Sequence, residues 1–265
     1  MNISSDIHEA IKNDKLVFFV GSGFSKILNF PNWRGMVIKV LEKLEKEDPK
    51  YTKLMNALEF FPEIEVLEQI KNSDLKNKKI VYDVLKDTFL LTNDHKNLLD
   101  NHKKIGQITS KIITTNYDKA IEEANPEIRS FDQTNEYFLA EMGQLDGYIF
   151  KLHGSIDNPT NCIVFKNDYE ELYDGSSPSI ERLKNIISDH TIIFLGFSMT
   201  DPFVQMQFEY INSLYKGLGK IHYILTTSDE KGLEKYGVSQ IKLEGWEELP
   251  GFLDALCEKK KLLMK

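Results

Sequence analysis

Cysteine is scarce. Cys162 and Cys257 are the only two in 265 residues, and they stand far apart in the chain. Two thiols cannot by themselves supply the four ligands of a closed structural zinc site, and one distant pair is a poor basis for a disulfide framework. A reducing cytoplasm is the expected setting. Long apolar runs are missing too: none approaches the ~20 residues of a membrane-spanning helix. The opening stretch, residues 1–15, is polar and lacks the apolar centre of a signal peptide. Basic charge is in deficit, with 33 Lys and Arg against 41 Asp and Glu and a net charge of −8. That balance argues against a protein that coats nucleic acid or an anionic membrane. There is no internal repeat or low-complexity segment. What remains is 41% hydrophobic and 28% charged, an ordinary globular composition with enough length for one large domain or two small ones.

Four short motifs stand out. Leu16-Val17-Phe18-Phe19-Val20 runs into Gly21-Ser22-Gly23-Phe24-Ser25, and Ile112-Ile113-Thr114-Thr115 into Asn116-Tyr117-Asp118. Phe150-Lys151-Leu152 runs into His153-Gly154-Ser155, and Thr191-Ile192-Ile193-Phe194-Leu195 into Gly196-Phe197-Ser198. Each is a buried-type apolar run followed at once by small or polar residues. In an open parallel sheet, ligands bind beyond the carboxyl ends of the strands. Four such ends would gather two Gly/Ser turns, an Asn, an Asp and a His around one cleft, the pattern of a dinucleotide pocket with chemistry of its own.

The rest of the pattern fits an α/β fold. Strands are expected at 16–20, 111–115, 148–152, 162–165, 191–196, 220–226 and 238–243. Helices are expected at 117–124, 168–174, 178–188, 201–215, 229–235 and 247–260, after a short one around Ile7, Ala10 and Ile11. Such alternation implies a parallel sheet with helices on both faces. Between the first two strands the character changes. Met36, Val37, Val40, Leu41 and Leu44 form a helical stripe, and further stripes follow through Phe89. A crossover helix needs far fewer residues. The chain therefore divides into a sheet domain at 1–34 and 106–265 and an inserted all-helical subdomain at 35–105, placed to act as a lid or an assembly surface.

Each motif also has a plain structural reading. Gly21-Ser22-Gly23 suits a pyrophosphate turn, but Lys26 stands where a full Gly-x-Gly-x-x-Gly would carry glycine, so a tight structural turn serves equally. Asn116 and Asp118 are also helix-cap residues. A lone histidine is more often structural than catalytic, but His153, next to glycine at an expected cleft, has the titration range of a general base. Gly196-Phe197-Ser198-Met199-Thr200-Asp201-Pro202 reads as capping chemistry with a turn small enough for a ribose. His8, His95, His102, His190 and His222 sit in no motif and are assigned to surface or core. Phe18 and Phe19 are assigned to the core, and Asp168, Glu170 and Glu171 to an exposed helix start.

Taken in order, these motifs resemble those of the sirtuin superfamily, more closely its sirtuin-like NADase branch of prokaryotic defence systems. The resemblance rests on Gly21-Ser22-Gly23-Phe24-Ser25, Pro31-Asn32-Trp33-Arg34, Thr114-Thr115-Asn116-Tyr117-Asp118, His153-Gly154 and Gly196-Phe197-Ser198. It covers about residues 15 to 230. The chain departs from the protein deacylases of that superfamily, which carry a four-cysteine zinc module. The stretch between His153 and Thr191 is also short for one.

The resemblance implies a Rossmann-like NAD-binding domain with NAD+ as substrate and no metal. It implies Asp118 on the carboxamide, Asn116 orienting ribose or water, and His153 as base. Trp33 would screen the reaction centre. Gly21, Ser22 and Arg34 would receive phosphates, with Gly23 and Phe24 as further cofactor-binding residues of the same turn. Gly196 and Ser198 would take the adenosine ribose, and Thr226 the adenosine end. The implied activity is hydrolysis of NAD+ to ADP-ribose and nicotinamide as a defence effector. It is restrained until the chain assembles with copies of itself or with a regulatory partner such as a defence ATPase or sensor. Protein deacylation or ADP-ribosylation, and a non-catalytic NAD or ADP-ribose sensor, stay open as alternatives.

Overall fold

A computed structural model describes residues 3–175, 177–199 and 201–263. Its centre is a seven-stranded, all-parallel sheet: β1 (Leu16–Val20), β2 (Lys111–Thr114), β3 (Ser130–Asp132), β4 (Tyr148–Lys151), β5 (Thr191–Leu195), β6 (His222–Thr226) and β7 (Val238–Lys242), in spatial order β3-β4-β2-β1-β5-β6-β7. β1 lies between β2 and β5, with Phe18 in register with Ile112 on one side and Ile193 on the other. The chain lays β2, β3 and β4 on one side of β1, with β4 entering between β2 and the edge strand β3, and then crosses to build β5, β6 and β7 on the other. The carboxyl end of β1 is therefore the point where strand order reverses, and a crevice opens there.

Continuous apolar runs make strands that are covered on both faces, and every residue of β1 and β5 is buried. Val17, Phe19, Phe150, Ile192 and Phe194 face one layer. There they meet Ile180, Leu183 and Ile187 of helix Pro178–Asp189 and Val204, Phe208 and Ile211 of helix Pro202–Leu214. Leu16, Phe18, Val20, Ile112 and Ile193 face the other. They meet Ile7 of helix Ser5–Lys12, Ile105 and Ile108 of helix Asp100–Ile108, and Phe252, Leu253 and Leu256 of helix Leu249–Leu263. Phe18 and Phe19 are thus core residues on opposite faces. No helix among the described residues is long and apolar enough to cross a membrane.

Helices Trp33–Glu45, Glu63–Ser73 and Asn77–Phe89 pack on one another around a separate apolar cluster of Val37, Leu41, Val66, Leu67, Val81 and Leu85. This cluster reaches the sheet domain through Tyr117, Ile156, Cys162, Val164 and Phe165. The expected strand at 162–165 is corrected here: the segment pairs with no strand and lies as a loop under the helices. Its apolar run is buried all the same, and periodicity alone does not separate a buried strand from another buried segment. The short edge strand β3 went unforeseen because only Phe131 of its three residues is buried. Helix Glu136–Glu141 also carries little signal, with only Leu139 buried. The expected helix at 229–235 is one 3-10 turn, Leu233–Tyr236, set between left-handed glycines 232 and 237.

The turns after β1 and β5 interlock. Gly23 N donates to Gly196 O at 2.8 Å and Gly21 N to Leu195 O at 2.9 Å. Gly196 has φ +60, and a Cβ there would stand 2.0 Å from Phe24 N. Gly196→Ala is therefore expected to cost at least about 2 kcal/mol of stability, from left-handed strain plus backbone overlap. Urea denaturation of parent and variant measures this; an unchanged midpoint would contradict the interlock.

Candidate active site

A cavity of about 510 Å3 opens over this interlock, within the usual range for small-molecule sites. Ser22, Ser25, Thr115, Asn116, Tyr117, Asp118, His153, Gly196, Phe197 and Ser198 line it from the sheet ends. Phe30, Trp33, Glu63, Ile64 and Phe89 close it from the helical layer, and Tyr169, Asp201 and Phe203 from the far wall. Three of the four strand-end motifs bring side chains of the expected kind together here, and the fourth, after β1, contributes its serines.

The polar groups are tied into one network. β2 stops at Thr114, whose hydroxyl donates to Val20 O and accepts from Asn116 N. The chain turns at once, and Asn116 Nδ2 donates to Gly21 O at 3.1 Å and to Ser25 Oγ at 3.2 Å. Ser25 Oγ in turn donates to Asp118 Oδ2 at 3.0 Å, while Asp118 Oδ1 accepts from Ala120 N at 2.9 Å. Asp118 is therefore both a cap and a cavity residue. Asn116 Oδ1 is buried with no partner. An amide oxygen with no protein partner at a cavity wall is ready to accept a hydrogen bond from a ligand or water.

His153 lies two residues beyond β4 and is 3% exposed. Burial lowers its pKa to about 4, with Asp201 pulling weakly the other way. The imidazole is thus neutral near pH 7, the form a base requires. Its Nε2 lies 2.8 Å from the Tyr173 hydroxyl, and its ring meets Tyr169 and Tyr173 edge-on. Phe203 stacks on both tyrosines. Trp33 and Phe89 pack against Tyr117, whose hydroxyl donates to Ile163 O at 2.6 Å. The cavity is thus an aromatic box with a few aimed polar groups.

Other expected site residues lie elsewhere. Arg34 does not line the cavity; it pairs with Glu63 at 3.2 Å across two helix starts. The Phe24 side chain is buried against His102 in the sheet-face core. Gly21 and Gly23 lie against Gly196 and Phe197. Thr226 bonds to Ser228 and Glu230 at the end of β6, away from the lining. Asp201 caps helix Pro202–Leu214 by accepting from Phe203 N and Val204 N, as its sequence context implied; Thr200 lies outside the described residues.

Reasoning from sequence missed Ser25 as the link between Asn116 and Asp118, and missed Tyr169 and Tyr173 around His153. The two tyrosines stand four apart on helix Lys166–Tyr173, a spacing that shares one helix face and was the available signal. Among the described residues no group of three or more His, Cys, Asp or Glu could hold a metal ion.

Comparison with known proteins agrees with this architecture. A family model described as a SIR2-like domain matches residues 110–246. Over 230 residues the chain is 24% identical to a Bacillus cereus (strain MSX-D12) protein named NAD(+) hydrolase ThsA, covering 85% of this chain and 46% of that protein. Over 222 residues it is 28% identical to Defense-associated sirtuin 2 of Bacillus subtilis, covering 80% of this chain and 20% of the other. The chain thus spans about half the length, or less, of these curated relatives. The crystal structure of a SIR2 homologue in complex with NAD shares the fold, with a TM-score of 0.53 at 14% identity, covering 99% of this chain and 96% of that one.

Buried histidines make the fold acid-sensitive. Burial lowers the pKa of His102 and His153 to about 4 and of His222 to about 3. Unfolded, each takes a proton near pH 6.5, which the folded chain refuses until the lowered pKa. Stability is therefore full above pH 6.5 and falls as pH drops toward 4, by up to about 1.4 kcal/mol per pH unit for each histidine. Urea midpoints at pH 7.5, 6 and 5 are expected to decline in that order; a flat series would contradict burial of these rings in neutral form.

Proposed function

The chain belongs to the SIR2-like domain family, and on that premise we propose that it hydrolyses NAD+ to ADP-ribose and nicotinamide, as the NAD-depleting effector of a cytoplasmic anti-phage, abortive-infection system. The observation that carries this reading is the pairing, in one aromatic cavity, of the unpartnered Asn116 Oδ1 with the neutral His153 imidazole. The names of the relatives, four of them called NAD(+) hydrolase and matched over 82–96% of this chain, favour the same substrate.

The chemistry follows from the substrate. The bond between ribose and nicotinamide joins an electron-poor carbon to a cationic leaving group that departs neutral. Its rupture leaves an oxocarbenium-like ribosyl centre, as in glycoside hydrolysis. In the reading proposed, Asp118 receives the carboxamide, and Asn116 Oδ1 orients the attacking water or a ribose hydroxyl. His153 takes the proton that water releases as its oxygen bonds to the ribose carbon. Trp33, Tyr117 and Phe89 keep bulk water from the cation. The turns at Ser22–Ser25 and Gly196–Ser198 hold the phosphates and the adenosine ribose through backbone groups and hydroxyls. Because such an activity is toxic, self-assembly or a regulatory partner would set the active population. A shift from 1:99 to 99:1 needs about 5.5 kcal/mol of differential binding.

Nicotinamide release from NAD+, followed over a range of protein concentrations, tests this. Asn116→Ala and His153→Ala are each expected to lower the rate by about 10²–10⁴ while remaining folded. Variants as active as the parent would remove the assigned site.

A further inference from the structure

One buried cation is not used by the roles assigned so far. Lys151, the last residue of β4, is 2% exposed. Its Nζ pairs with Glu122 at 3.0 Å and donates to the backbone carbonyl of Asp118. A cation so deeply buried is costly unless paired, and a buried ion pair commonly stabilises a fold no better than apolar residues of the same shape. Here the pair is also incompletely satisfied, since Glu122 Oε2 has no partner. Stability therefore explains it poorly.

Its placement explains it better. β4 continues through Leu152 to His153, and Asp118 lies with Asn116 in the loop after β2. The Asp118 carboxylate is held on the cavity side by Ser25 and Ala120 N; its carbonyl is held from behind by Lys151. One side chain thus ties the strand that carries His153 to the loop that carries Asn116 and Asp118. We infer that Lys151, steadied by Glu122, is a positioning residue that fixes the Asp118 carboxylate at the nicotinamide end of the cavity. The inference rests on the reading of the cavity as an NAD+ site.

The test separates the nicotinamide end from the rest of the ligand. A carbocyclic NAD+ analogue, which cannot be cleaved, and ADP-ribose, which lacks nicotinamide, are titrated calorimetrically into the full chain. The same is done with the double variant Lys151→Met/Glu122→Leu, in which no charge is left unpaired. The variant is expected to bind the analogue about tenfold or more weakly, as misplacement of a contact group does, and ADP-ribose within about twofold of the parent. Glu122→Gln, which loosens the ammonium without removing it, gives a smaller shift in the same ratio and serves if the double variant proves unstable. Equal affinities in parent and variants, or parallel loss of both ligands, would overturn the positioning role. A parent that binds neither ligand would instead overturn the NAD+ reading, and this inference with it.

Discussion

The site depends on how closely two backbone turns approach. Gly23 N meets Gly196 O at 2.8 Å, and no side chain larger than hydrogen fits at either glycine without overlap. Because the turns lock, the chain after β1 cannot climb away from the sheet. It coils at once into the 3-10 segment Ser22–Leu28, which sets Ser25 over the end of β2. From there one hydroxyl reaches both Asn116 and Asp118. A glycine contact between the turns after β1 and β5 thus determines the geometry of residues in the loop after β2.

A second constraint is electrostatic. The cavity wall is mostly aromatic, so a polar group within it must be bonded or bear the cost of being buried alone. Most are bonded: Asp118 through two donors, His153 through Tyr173, Asn116 Nδ2 through two acceptors. Among the described residues, Asn116 Oδ1 is a buried lining atom with no bond of its own. The same burial that isolates that oxygen keeps His153 neutral. An apolar enclosure therefore accounts for both features on which the proposed hydrolysis rests, and it suits a substrate whose positive charge is lost as the bond breaks.

Much of this was legible in the sequence because parallel-sheet strands advertise themselves. Leu16–Val20 and Thr191–Leu195 are unbroken apolar runs that end in glycine turns, and such runs have few other places to go. The helical layer was equally clear from the stripe at Met36–Leu44. The sequence was least informative where burial and pairing part company. Cys162–Phe165 is apolar because helices cover it, not because it joins the sheet; β3 joins the sheet with one buried side chain. Site residues divide in a similar way. Asn116, Asp118 and His153 follow strand ends, and their place on the cavity wall could be read from that position. Ser25 serves through contacts with segments distant in sequence, which spacing does not disclose, and the spacing of Tyr169 and Tyr173 shows a shared helix face but not that it meets His153. Arg34 fits a motif as well, but its guanidinium pairs with Glu63, a contact the motif does not disclose.

A crystal structure of the chain with a non-cleavable NAD+ analogue tests the central claim most directly. The account predicts the nicotinamide amide within hydrogen-bond reach of Asp118, the adjoining ribose beside Asn116 Oδ1 and His153, and the phosphates on the turn that follows β1. A dinucleotide bound in the opposite sense, or outside the cavity over the Gly23–Gly196 contact, would contradict it.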